Sequence, residues 1–96
     1  MATLSKRYAD YRRNAATRGF TFQISKERFA EITDQACAYC GAEGPNGIDR
    51  VDSDLGYVEG NMVPCCSICN RMKSNLGREV FLAQVARIAK FRGLLD

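Results

Sequence analysis

A chain of 96 residues is about the size of one small domain, whose modest core often needs a metal or disulfide staple. A hydrophobic share of 46% excludes a disordered chain, no window approaches the roughly 20 apolar residues of a membrane span, and the opening MATLSKRYADYRR lacks the apolar run of a secretory leader. The net charge of +3 is unevenly spread: residues 1–28 balance at +5, residues 29–70 at −6 and residues 71–96 at +4. An acidic centre between basic flanks suits a cation site held against a polyanion, and it equally suits ordinary solvated helix faces.

Leu4, Tyr8, Tyr11 and Ala15 recur at helical spacing, with Lys6, Arg7, Arg12 and Arg13 mostly off that stripe. The pattern predicts an amphipathic helix over 4–18, ended by Gly19. Lys6, Arg7, Arg12, Arg13 and Arg18 give this basic flank a set of candidate phosphate contacts. Phe20, Phe22 and Ile24 alternate with polar residues, the period of a short strand. Ser25 is a candidate N-cap for a helix that points Phe29 and Ile32 inward. The aromatics fit core packing better than a base-stacking platform.

Gly41, Gly44, Pro45, Asn46 and Gly47 mark a loop. Residues 48–51 read as a strand, 53–56 as a turn, 62–64 as a returning strand and 66–75 as a short helix. A last helix over 78–92 carries Phe81, Val85 and Ile88 down one face, and that stripe is expected to be core. The expectation is one domain over 1–96, with a basic helical flank (1–36), a centre (37–75) and a closing helix (76–96).

Most of the chemistry lies in the centre. Cys37-Ala-Tyr-Cys40 and Cys66-Ser-Ile-Cys69 are two Cys-x-x-Cys units, and two intervening residues let both sulfurs of a pair turn to one ion. Four thiolates complete a tetrahedral structural zinc site at about 2.3 Å per bond, with no open position for substrate. Such an ion also supplies folding free energy that a small core lacks. A redox dithiol would leave the second pair unexplained, and simple buried thiols would leave the spacing unexplained. Cys65 is the fifth cysteine; the spacing favours Cys66 as ligand and leaves Cys65 as a small buried hydrophobe. Reduced cysteines point to the cytoplasm. The chain has no histidine, which excludes a histidine ligand and a histidine general base alike.

At Gly47-Ile48-Asp49-Arg50-Val51-Asp52, Gly56-Tyr57, Asn61 and Cys66-Ser-Ile-Cys69-Asn70-x-x-Lys73, the chain resembles the HNH endonucleases, most of all the small phage-encoded kind with a zinc knuckle. The likeness covers residues 37–75. Upstream, Tyr11-x-x-x-Ala15-x-x-Arg18-Gly19-Phe20 looks like the flank such proteins carry. The resemblance implies an α+β, ββα-metal fold with flanking helices, acting on nucleic acid, in the first place DNA, in a host cytoplasm and without a membrane. It implies that Asp49 and Asn70 hold a catalytic Mg²⁺ or Mn²⁺, that Asn61 positions the general base, and that Arg71 and Lys73 join the nucleic-acid contacts. Arg50 stands where the family has its catalytic histidine. Arginine keeps its proton, so it cannot take one from water, but it can bind or stabilise a phosphate. Asp52 or Asp54 offers another base or ligand, although Asp-Ser-Asp-Leu-Gly also reads as a plain turn. Three readings stay open: a metal-dependent endonuclease; a catalytically silent binding module on nucleic acid or a nucleoprotein complex, such as a phage inhibitor or accessory protein; and a structural zinc domain that binds another protein.

Overall fold

The computed structural model describes residues 3–94. Helix α1 (Leu4–Arg18) begins at Thr3, whose side chain accepts a hydrogen bond from the Lys6 N–H, and ends at Gly19 in the left-handed conformation. Helix α2 (Lys26–Thr33) is capped by the Ser25 hydroxyl as its sequence predicts. Strands β1 (Gly47–Arg50) and β2 (Met62–Cys65) form an antiparallel hairpin that pairs Gly47 with Cys65 and Arg50 with Met62. Helix α3 (Ser67–Lys73) follows β2 directly, with Cys66 as its N-cap, and α4 (Arg78–Arg92) closes the chain.

The first core gathers Ala15, Ile24, Phe29, Ile32, Ile48 and Tyr57 under the rings of Tyr8, Tyr11, Phe20 and Phe22. Its rings meet edge to face; Tyr11, for example, lies 5.3 Å from Phe29 and 6.0 Å from Tyr57. The Tyr11 hydroxyl accepts the Ile48 N–H at 3.0 Å and so fixes β1 against α1. A side chain at Gly47 would run into that hydroxyl. A Cβ at Gly56 would come within 2.6 Å of the Thr21 carbonyl, so glycine is needed where these two loops cross.

Two expectations change. Residues 20–24 do not form a strand; one parallel bridge joins Phe22 to Tyr57, because the alternation there serves packing on the rings and no neighbouring strand is available to pair. The apolar stripe of α4 is not core. Only Phe81 is buried, against Tyr39 at 5.3 Å between centroids, while Ile88 is 48% and Phe91 85% exposed. The helix leaves the body of the protein after its first turns. No helix among the described residues is long and apolar enough to cross a membrane.

Candidate functional site: a cysteine clasp beside an arginine-lined cleft

Cys37 and Cys40 sit on the turn before β1, and Cys66 and Cys69 sit on the first turn of α3. Their four sulfurs lie within 4.8 Å of one another, with Cys40 and Cys66 3.7 Å apart. Four thiols at that separation could hold one tetrahedral metal ion. Burial pushes the Cys37 thiol up, but backbone hydrogen bonds from Cys66, Cys40 and Tyr39 more than offset it and hold the group at about 6. Burial and the neighbouring thiols push Cys69 the other way. A thiol held low at Cys37 is a site ready to give up its proton to a cation. Cys65 is buried outside the cluster, its thiol pushed up to about 12 by burial and by Asp49.

Beside β1 lies a polar cleft of about 190 Å³. Arg18, Asp49, Arg50, Asn70, Ser74 and Asn75 line it, so the chain does bring Asp49, Arg50 and Asn70 together. β1 supplies Asp49 and Arg50, and α3 presents Asn70 from the side. The remaining members of the predicted set are elsewhere. Asn61 is buried and grips the turn: its Oδ1 accepts the Asp52 N–H at 2.8 Å, and its Nδ2 donates to the carbonyls of Asp52 and Gly56. Asp52 accepts the Asp54 N–H at 2.9 Å in the turn that Asp-Ser-Asp-Leu-Gly suggests, and neither carboxylate lines the cleft.

Arg50 is only 8% exposed. Its guanidinium stacks 3.7 Å above the Phe20 ring, and Nη1 donates to the Ser53 and Leu55 carbonyls at 2.6 and 3.0 Å. It therefore holds the turn from below while presenting charge to the cleft. Arg18 joins it, with its guanidinium 4.8 Å from the centre of the same ring.

Lys73 is not where its sequence context suggests. The sequence places it among surface phosphate contacts, yet it is fully buried (0% exposed). Its ammonium lies 3.2 Å from Asp49 Oδ1 and donates to the Arg50 carbonyl at 3.1 Å. The helical spacing carries the reason, since Asn70 and Lys73 are three residues apart and share one face of α3. Sequence reasoning missed Tyr39 altogether: its hydroxyl donates to Asp49 Oδ2 at 2.6 Å, and burial together with that carboxylate pushes its ionisation up, so the proton stays. Both oxygens of Asp49 are thus engaged, one by a cation. A Mg²⁺ or Mn²⁺ ligated there would share its one carboxylate with an ammonium and face two guanidiniums. The residues present do not fit a divalent cation.

Among the other basic residues, Arg12 is exposed on α1, Lys6 and Arg13 both reach Asp10, and Arg71 is exposed on α3. Arg7 donates to the Asn46 carbonyl and lies over the Phe29 ring, so it ties α1 to the loop before β1.

No family model matches the chain. An uncharacterized protein of Acanthamoeba polyphaga mimivirus is 34% identical over 90 residues, which is 91% of this chain. The chain spans 17% of that relative's length. Among solved structures, the rare-cutting HNH restriction endonuclease PacI is similar with a TM-score of 0.72 and 24% identity, over 97% of this chain and 83% of that one. With a two-stranded hairpin leading straight into a helix, four clustered cysteines and flanking helices, the chain has the α+β fold of the HNH endonucleases.

Proposed function

We propose that this chain is a DNA-directed module on an HNH nuclease scaffold, clasped by one structural zinc and gripping the nucleic-acid backbone through its arginine-lined cleft. The carrying observation is that cleft: Arg18 and Arg50 line it beside Asn70, and its one carboxylate is already neutralised by Lys73. Guanidinium groups take phosphate oxygens in pairs, and here they are held by stacking, which lowers the entropy lost on binding. Four cysteines in a closed cluster favour zinc as a staple with no catalytic part. The similar restriction enzyme makes duplex DNA the partner to try first. Reduced thiols and the viral relative make the cytoplasm of an infected host, as for a phage-type protein, the compartment that fits best.

A second reading, a working endonuclease, is favoured by one observation: Asp49 and Asn70, the metal ligands of the family pattern, share the cleft with Arg50. Two measurements separate the readings. Fluorescence anisotropy on a labelled duplex should show salt-sensitive binding that weakens when Arg18 and Arg50 become Ala. Plasmid nicking with Mg²⁺ or Mn²⁺ should stay at background. Nicking that disappears in Asp49→Ala would establish the second reading, and absence of DNA binding would defeat the first.

A further inference from the structure

The geometry points to Lys73 as a built-in replacement for the divalent cation at Asp49, so that the cleft is neutralised from inside the protein and meets a phosphodiester without a metal. The proposal's nucleic-acid half rests on the function proposed above; its metal half stands on the protein alone.

Lys73 is the only lysine among the fully buried side chains of the described residues, and a buried ammonium requires a partner. Asp49 is that partner at 3.2 Å, and the Arg50 carbonyl takes a second of its three protons at 3.1 Å. On the other carboxylate oxygen, the Tyr39 hydroxyl at 2.6 Å completes the set. The Asp49 carboxylate is therefore met on both oxygens by this protein's own donors. Among the described residues no second acidic side chain lines the cleft to recruit a cation, whereas two guanidiniums line it to repel one. A hard dication wants several oxygen ligands and charge to match; the cleft would leave it uncharged side chains such as Asn70, Ser74 and Asn75. The same electrostatics welcome an anion. Asp49 and Lys73 cancel, so Arg18 and Arg50 give the cleft its charge.

The relevant probe is Mn²⁺ itself, titrated into the zinc-loaded full chain with no nucleic acid and followed by the electron-paramagnetic-resonance signal of the free ion. Wild type should leave that signal unchanged into the millimolar range. Lys73→Met frees Asp49 and should create one Mn²⁺ site per chain, lost again in the Lys73→Met/Asp49→Asn pair. A wild-type Mn²⁺ site that Asp49→Asn removes would overturn the proposal, and so would a folded Lys73→Met protein that gains none. Should Lys73→Met fail to fold, duplex affinity decides. At matched ionic strength it should agree within about twofold with and without Mg²⁺, and a gain of about tenfold or more with Mg²⁺ would overturn the proposal. A protein that binds no DNA at all defeats the proposed function, while the Mn²⁺ titration still tests the role of Lys73.

Discussion

The core built by residues 8–32 with Ile48 and Tyr57, and the cysteine cluster of residues 37–69, are interiors of different kinds. The first is carbon: Phe29 at 0% exposure sits among Tyr8, Tyr11 and Ile32, each ring positioned by the next. The second is sulfur: Cys37, Cys65 and Cys69 are its buried members, with Tyr39 and Cys66 beside them. Apolar burial contributes wherever water is excluded, so the first cluster draws its stability from packing and needs no ion of its own. Thiols pack as small hydrophobes and add little, so the second cluster would gain most from the ion that four of them could share. Strand β1 runs between the two, and the cleft opens beside it.

Loss of the metal should separate the two regions most sharply. Structural zinc sites contribute on the order of 10–16 kcal/mol, far more than a small core can offset. Chelation, or Cys69→Ser, should abolish stoichiometric zinc and unfold the hairpin and α3, seen as loss of amide-exchange protection over residues 37–73. A protein still folded after chelation would show that the sulfur cluster needs no ion. The pH dependence follows from Cys37, whose thiol is held at about 6 against an ordinary 9.0. A depressed acid contributes in full above its unfolded value and loses that contribution as pH falls towards the folded one. Stability should therefore decline from about pH 9 down to about pH 6, the direction that proton competition for zinc also gives.

Phe29→Ala breaks the other side of the comparison. Large-to-small changes at a fully buried ring cost about 3–5 kcal/mol, to be read from the denaturant midpoint. Zinc content should survive in whatever fraction stays folded. Arg50→Lys is expected to cost less, about 1.5–3 kcal/mol, because a lysine cannot both stack on Phe20 and serve the Ser53 and Leu55 carbonyls. It should weaken duplex binding as well, which a purely structural arginine would not do. Arg50→His supplies a proton acceptor with an ordinary value near 6.5, yet with Lys73 on Asp49 it should not cut by itself. Cutting by that single variant would mean a cation does reach Asp49.

Helix boundaries were legible because local rules set them: Ser25 and Gly19 act through atoms a few residues away. The clasp was legible because two Cys-x-x-Cys turns leave few alternatives. The interior of the cleft was not. A lysine in a basic segment reads as solvated, and only the fold places Lys73 under β1, 23 residues from the carbonyl it binds. Asp49 reads as a metal ligand until Tyr39, from inside the cysteine turn, is found on its other oxygen. The exposed apolar face of α4 misleads in the opposite sense, since periodicity reports which residues share a face and not whether anything covers it.

Changes on the exposed face of α1 should be milder. Arg12→Ala with Arg13→Ala should leave folding intact and make the slope of log K against log salt shallower by roughly 0.9 for each phosphate no longer neutralised. An unchanged slope would leave Arg12 and Arg13 out of the proposed DNA contact.

The smallest effect is expected at Cys65, where sequence alone leaves two neighbouring cysteines competing for one ligand position. Cys66 lies in the sulfur cluster and caps α3, its sulfur accepting the Cys69 N–H at 3.4 Å. Cys65 faces inward from the end of β2, and its thiol, pushed up to about 12, keeps its proton and donates to the Cys66 carbonyl at 3.4 Å. Serine at 65 retains a donor in nearly the same place and loses mainly the packing of a sulfur. The cost should be about 1 kcal/mol, with one zinc still bound per chain. Cys66→Ser removes a ligand and a cap together and should behave like Cys69→Ser. If Cys65→Ser lost the metal while Cys66→Ser kept it, the ligand set would be shifted by one residue, and α3 would have to start one residue earlier to serve it.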